Sequence, residues 1–304
     1  MSRPAAKQVI TVGTRGSKLA LIQATAAVDL LKTANAELAF AIEEITTTGD
    51  RQRGAVLGEG IFVKEIQKAL LEGSIDLAVH SLKDLPTELV EGLRLAAIPQ
   101  RADPREALVG GTLRSLRKGA RVGTGSPRRS AQLRRLRDDL EVVPIRGNVP
   151  TRVEKARSGE FDAVLLACAG LERLGIDPDE ILDPLQILPA PGQGALALET
   201  RDESGVAGDA CAQIDDLEIR AAVDAERILL REMGGGCLLP VGAWGRIDEG
   251  RLLLDAAVVS ADGAREARGH AEGVPSGAGA VARQLAEDLN SQGAMELLED
   301  GFQR

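Results

Sequence analysis

Apolar and polar positions alternate along this chain in two rhythms. Short apolar runs of strand length are followed by longer stretches with helical spacing, which predicts an α/β architecture. Val9–Val12 reads as a strand, and 17–33 as a helix with Leu19, Ile22, Ala26 and Leu30 on one face. Leu38–Ile45 is a second strand, Phe62–Leu71 a helix, and Ile75–Val79 a strand ending at His80. Pro99-Gln-Arg-Ala-Asp-Pro-Arg105 is polar and Pro-bounded, so it reads as a linker. A second unit follows: strand Arg121–Gly123, a helix from Pro127, strand Val142–Ile145, a helix from Thr151 and strand Ala163–Ala167. After a second Pro-rich crossing, Leu188–Gly194, the run Ala195–Glu199 reads as a strand returning to an earlier sheet. A third unit opens with a helix from Asp216 to Glu232. Strands turning at Asp248-Glu-Gly250 and Ala261-Asp-Gly263 come next, and a helix over Ala278–Asn290 closes the unit. The expected domains are therefore 1–99 with 193–214, then 103–190, then 216–304. No sequence repeat is evident.

At 304 residues, 44% hydrophobic and 27% charged, the composition is that of an ordinary globular protein. No apolar run is long enough to span a bilayer, and no secretory signal is visible at the start. Three cysteines, at 168, 211 and 237, without a Cys-x-x-Cys pair suit a reducing cytoplasm, and Cys168 and Cys211 read as structural. Two histidines with no cysteine cluster give no metal site. The net charge is −9, yet 114–157 holds thirteen Lys and Arg against four Asp and Glu; the remainder of the chain thus carries −18. A basic island in an acidic protein points to a local anionic ligand. With aromatics at 2%, a nucleic-acid platform is disfavoured. Arg134, Arg135 and Arg137 read as a solvated helix face.

The candidate chemistry lies at strand ends, where open α/β sheets bind ligands. Four loops fit: Thr14-Arg-Gly-Ser17, His80-Ser-Leu-Lys-Asp-Leu-Pro86, Gly123-Thr-Gly-Ser-Pro-Arg-Arg129 and Arg146-Gly-Asn-Val-Pro-Thr-Arg152. Each joins an arginine or lysine to a turn or helix start, a combination suited to carboxylate or phosphate. Four such loops suggest a ligand with several carboxylates. Asp84 beside Lys83 is either a turn aspartate or a carboxylate able to stabilise a developing cation. Cys237 follows three glycines in Met233-Gly-Gly-Gly-Cys-Leu-Leu-Pro240, where the absence of side chains opens the approach to one sulfur. An attachment point and an ordinary buried cysteine are both open readings of it. The Gly123-Thr-Gly125 turn lacks the third glycine of a dinucleotide fingerprint, and no nucleotide-triphosphate loop is present.

Taken in order, those loops resemble the porphobilinogen deaminases, also called hydroxymethylbilane synthases. The likeness includes Phe62-Val-Lys-Glu65, Leu188-Pro-Ala-Pro-Gly-Gln-Gly194 and Gly234-Gly-Gly-Cys237 and spans nearly the whole chain. It implies two periplasmic-binding-protein-like α/β domains around a cleft and a smaller C-terminal α/β domain. It implies a cytoplasmic, monomeric transferase of tetrapyrrole (heme and chlorophyll) biosynthesis. Such an enzyme polymerises four porphobilinogen molecules head to tail into hydroxymethylbilane, on a dipyrromethane cofactor held by a thioether to Cys237. No metal, nucleic acid or membrane takes part. Loss of ammonia from porphobilinogen leaves an electrophilic azafulvene, and Asp84 matches the carboxylate that faces the pyrrole N–H groups. Arg15 and Lys83 are the other positions matched to catalysis. Ser17, Lys83, Asp84, Thr124, Ser126, Arg128, Arg129 and Arg146 match cofactor-binding positions. Arg15, Ser17, Phe62, Arg146, Arg152, Arg173 and Gln193 match substrate-binding ones. The chain departs from the family before Phe62, where Ala55 and Glu59 stand in place of expected lysines; Arg51 and Arg53 are the nearby cations. A solute-binding protein with the same two-domain cleft is the alternative reading. It would need neither Asp84 nor Gly-Gly-Gly-Cys237.

Overall fold

A computed structural model describes residues 7–47, 63–203, 205–235 and 239–302. Phe62, Cys237, Ala55, Glu59, Arg51 and Arg53 lie outside the described residues. In chain order the first elements are β1 (Val9–Arg15), α1 (Lys18–Ala34), β2 (Ala39–Ile45), α2 (Lys64–Leu71), β3 (Leu77–Ser81), a 3-10 turn over Leu82–Asp84, and β4 (Leu93–Ala97). Then come β5 (Glu106–Val109), β6 (Arg121–Gly123), α3 (Pro127–Leu136), β7 (Glu141–Val143), α4 (Val149–Arg157), β8 (Ala163–Ala167), α5 (Cys168–Arg173) and β9 (Glu180–Ile181). The chain returns with β10 (Leu196–Arg201) and α6 (Val206–Ala212). It closes with α7 (Leu217–Glu232), β11 (Val241–Asp248), β12 (Arg251–Val259), β13 (Glu266–Gly273), α8 (Ala278–Ser291) and α9 (Ala294–Phe302).

The chain divides into two compact units, 1–100 with 195–217 and 101–194 with 218–304. The first carries a five-stranded sheet in the order β2-β1-β3-β10-β4. Its β1, β2 and β3 are parallel, while β10 runs antiparallel to both neighbours. The second carries a sheet of the same design, β7-β6-β8-β5-β9, with β6, β7 and β8 parallel and β5 antiparallel to β8. It also holds the smaller C-terminal antiparallel sheet β11-β12-β13, on which α8 and α9 pack. The architecture is α/β, as the alternating pattern predicts.

The buried stripe of α1 is Ala24, Ala27, Val28 and Leu31, one residue round from the expected face. Small alanines let the helix lie close on β1 and β3, while Leu19, Ile22 and Leu30 are half-buried and Ala26 is exposed. β3 begins two residues later than its apolar run, because Asp76 is spent on Thr11: its carboxylate accepts from the Thr11 amide at 2.9 Å. α4 starts before Thr151 because Asn148 is its N-cap, its side chain accepting from the Thr151 amide, with Pro150 in the first turn.

The solvated-face reading of Arg134, Arg135 and Arg137 is incomplete: Arg135 is exposed and the other two half-buried, yet each makes specific contacts. Arg134 donates to the Ala261 carbonyl at 2.8 Å, Arg135 pairs with Glu266 at 3.0 Å, and Arg137 binds Asp139 and the Leu116 carbonyl. Gly263 (φ 78°) permits the approach: a Cβ there would stand 2.6 Å from the Arg135 nitrogen. Arg134 and Arg135 fasten α3 to the turn between β12 and β13 and the start of β13, while Arg137 ties the end of α3 to the segment before β6.

Candidate functional site

In the first unit β1 and β3 are adjacent, so the loops after them share one edge of the sheet. β1 ends at Arg15, which is half-buried, and Ser17 caps α1 by accepting from the Ala20 amide at 3.2 Å. β3 ends at Ser81 and runs directly into the 3-10 turn. There Leu82 is buried, Lys83 half-buried and Asp84 exposed. The turn is fixed by its own backbone: the Leu82 amide donates to the Ala195 carbonyl and the Leu85 amide to the Leu82 carbonyl. A buried apolar residue thus anchors a turn that presents a carboxylate.

In the second unit β6 lies between β7 and β8; the loop after it carries Thr124 and Ser126, and the first turn of α3 carries Arg128 and Arg129. Thr124 is buried, its amide bonded to the Val143 carbonyl. Ser126 caps α3, accepting from the Arg129 amide. Gly125 lets the loop pass the Ile145 carbonyl, which would lie 3.0 Å from a Cβ. The loop after β7 holds Arg146, which is exposed, and α4 behind it holds Arg152, whose Nε donates to the Gly147 carbonyl at 2.8 Å. Arg173, in α5 after β8, donates to the Gly194 carbonyl at 2.8 Å. Gln193 is fully buried; its Nε2 donates to the Pro104 carbonyl at 2.7 Å, and its Oε1 accepts from Arg129.

Glu106, which the sequence reading passed over, organises this set. It is fully buried on β5 and paired with Ala167 at the carboxyl end of β8. Arg128 reaches it at 2.5 Å and Arg129 at 2.7 Å. Burial alone would raise the Glu106 carboxyl, but Arg129 and Arg128 outweigh it and hold it at about 2. One carboxylate against two guanidiniums leaves a net positive charge in the interior. Arg152 feels it: burial first, then the fields of Arg129 and Arg146, lower its guanidinium to about 10. Burial also lowers Arg173, with Glu172 opposing. Arginines gathered around a helix start, with Arg152 disfavoured by the charges of Arg129 and Arg146, suit a ligand with carboxylates. That is the charge pattern an acetate- and propionate-bearing dipyrromethane needs, so the residues present fit that group. The legible signal for Glu106 was a carboxylate opening an apolar strand, Glu106-Ala-Leu-Val109, which demands a buried cationic partner.

Cys168 and Cys211 are buried, and burial pushes both thiols up to about 12. Among the described residues no group of three or more His, Cys, Asp and Glu side chains could hold a metal ion. Among them also, no helix is long and apolar enough to cross a membrane.

Comparison with known proteins identifies the chain. The family model "Porphobilinogen deaminase, dipyromethane cofactor binding domain" matches residues 10–207, and "Porphobilinogen deaminase, C-terminal domain" matches 220–291. A porphobilinogen deaminase of Thermus thermophilus is 47% identical over 297 residues, covering 96% of this chain and 98% of that protein. One from Roseiflexus sp. is 46% identical over 301 residues, covering 96% and 99%, and one from Deinococcus radiodurans is 45% identical over 304, covering 96% and 98%. Among solved structures, the BvgS periplasmic VFT2 domain of Bordetella pertussis matches at TM-score 0.41 and 16% identity, over 68% of this chain and 86% of that one. A putative methionine-binding lipoprotein of Bacillus subtilis matches at 0.40 and 13%, over 68% and 90%. These structural likenesses are too loose to add to the fold. Two family models in sequence order and relatives at 45–47% identity over nearly the full length place the chain in the porphobilinogen deaminase family.

Proposed function

We propose that this chain is a hydroxymethylbilane synthase, joining four porphobilinogen molecules head to tail on a dipyrromethane primer attached to Cys237. Each addition breaks the C–N bond of an aminomethyl group, releases ammonia and forms a C–C bond to a neighbouring pyrrole, whose α-carbon loses its proton. The dipyrromethane, when bound, supplies the terminal pyrrole carbon that the first substrate unit joins. Asp84 accepts from the pyrrole N–H and stabilises positive charge on that nitrogen as ammonia departs. Its exposure on a turn anchored by buried Leu82 supports that role. Arg15 and Lys83 flank the same step. Ser17, Thr124 and Ser126 offer hydrogen bonds at loop ends, and Arg128, Arg129 and Arg146 answer the acetates and propionates of the cofactor. Arg15, Arg146, Arg152 and Arg173 take those of incoming units, with Phe62 and Gln193 as further substrate-binding positions. The division into 1–99 with 193–214, 103–190 and 216–304 belongs to this reading, as do a cytoplasmic monomer and independence of nucleic acid.

The gathering of Arg128, Arg129, Arg146 and Arg152 on the segments that follow β6 and β7 is the observation that carries the reading furthest, because only one buried carboxylate, Glu106, pairs with Arg128 and Arg129 and the cluster as a whole suits a ligand with several carboxylates. Intact mass tests the whole scheme. The purified chain is expected to exceed its sequence mass by two linked pyrroles, Cys237→Ser to show the bare mass, and porphobilinogen to add single-pyrrole steps. A bare wild-type mass that neither porphobilinogen nor preformed tetrapyrrole changes would overturn the reading in favour of a solute-binding protein.

A further inference from the structure

The first unit buries polar side chains beneath the Asp84 turn where apolar ones would pack at lower cost. Glu199 on β10 is fully buried, and His80, Gln67 and Gln23 are nearly so. Gln67 of α2 donates to Glu199 Oε1 at 2.9 Å. His80 Nε2 stands 3.2 Å from Glu199 Oε2, a contact of proximity rather than an aligned hydrogen bond. On the next residue Ser81 exchanges two hydrogen bonds with Gln23 of α1, at 2.9 and 3.1 Å. Successive strand residues point to opposite faces. The last two residues of β3 are therefore gripped from both sides of the sheet, by α1 on one and by β10 and α2 on the other.

Burying a carboxylate, an imidazole and an amide costs free energy that an apolar cluster of equal volume would not. A core built for stability alone has no use for them. The Gln67–Glu199 hydrogen bond is directional and holds the Glu199 side chain against the His80 ring, and this matters because the strand leads straight into the turn: His80 and Asp84 are four residues apart. Asp84 itself is exposed, so its carboxylate position depends on the backbone that carries it.

We propose that the buried chain Gln67–Glu199–His80 is a positioning device for Asp84: it fixes the carboxyl end of β3 and thereby the place at which the turn 82–84 presents its carboxylate. This inference rests on the assignment of Asp84 to the reacting pyrrole. Glu199, His80 and Gln67 are positioning residues and touch no substrate.

The test uses full-length, cofactor-loaded protein and compares wild type, Glu199→Gln and Gln67→Met. Glu199→Gln keeps the shape and exchanges a carboxyl oxygen for an amide nitrogen; Gln67→Met keeps the His80–Glu199 pair and removes its outer support. Glu199→Gln is expected to retain the two-pyrrole mass excess and hold KM within about twofold. A displacement of a fraction of an ångström should lower kcat about tenfold. Amide hydrogen exchange of Leu82 and Leu85, read by mass spectrometry, is expected to quicken in the same protein. Gln67→Met should move in the same direction by less. Wild-type kcat and wild-type exchange in both variants would overturn the proposal. A kcat loss matched by the loss of loaded protein, with exchange at 82–85 unchanged, would do so too, as would failure of both variants to fold, since either assigns these residues to stability alone. If the wild type itself forms no hydroxymethylbilane, the functional reading fails, whereas an active wild type with unaffected variants sinks only the positioning role.

Discussion

Glu106 shows how one side chain sets the electrostatics of a loop cluster. Its carboxyl is held at about 2, against 4.5 in the unfolded chain. A folded pKa below the unfolded one gives stability that is fully present above about pH 4.5 and lost as pH falls towards 2. Replacing Glu106 by Gln leaves Arg128 and Arg129 buried without their anion. The expected cost is about 3–5 kcal/mol at pH 7. In urea unfolding the gap between wild type and Glu106→Gln should narrow from pH 7 to pH 3; an unchanged gap would mean the carboxylate is not what the arginines rest on. Arg128 and Arg129 were legible in the sequence as anion-binding candidates. Glu106 carries a signal of its own, a carboxylate opening an apolar run, but its pairing with these two arginines is not legible, because it stands 22 residues before Arg128. A buried ion pair depends on which strands become neighbours, and single-residue patterns do not carry that.

At the scale of elements, the first two sheets share one strand order although no sequence repeat links them. In each, three parallel strands are followed by an antiparallel fourth: β10 enters the first sheet after the second crossing, and β5 enters the second after the first. Strands and helices with strong local signals, such as β6, α3 with its Ser126-Pro127 start, and α7, were readable in advance. β5 was not, because its four residues follow a polar stretch that looks like linker. The crossings also carry buried structure that composition conceals. Gly194 (φ 88°) passes so close to Ala102 that a Cβ would stand 2.3 Å from its carbonyl oxygen, and its own carbonyl accepts from Ala102 and Arg173. Both the positive φ and the backbone neighbour exclude a side chain. Gly194→Ala should therefore destabilise by about 2 kcal/mol or more. Chemical denaturation would show this as a lower midpoint, and a wild-type midpoint would mean that the crossing can shift aside.

At the scale of the whole molecule, the second unit has to make two sheets, each with its own core, behave as one body. A small apolar joint of Ala131, Leu188, Ala257 and Val259, with Trp244 against it, covers part of the contact. The rest is polar and centres on Glu226 of α7, which is fully buried. Arg101, from the stretch that reads as linker, grips it with two nitrogens at 2.8 and 3.1 Å, and the Gly192 and Gly245 amides each donate to it at 2.6 Å. Arg101 also binds the Gln193 carbonyl at 2.9 Å, so one carboxylate ties α7 and β11 to both crossings. Removing it strands a buried guanidinium and two amides at the joint while leaving each core intact. Glu226→Leu should thus cost cooperativity as well as stability. Trp244, the single tryptophan of the chain, sits at the joint and reports on it by fluorescence, while far-UV circular dichroism follows all the sheets and helices. In Glu226→Leu the fluorescence transition should move to lower denaturant than the dichroism transition, and by more than in wild type. If both moved together by the same amount, the apolar joint alone would be sufficient to couple the two sheets, and Glu226 would act only as one more stabilising contact.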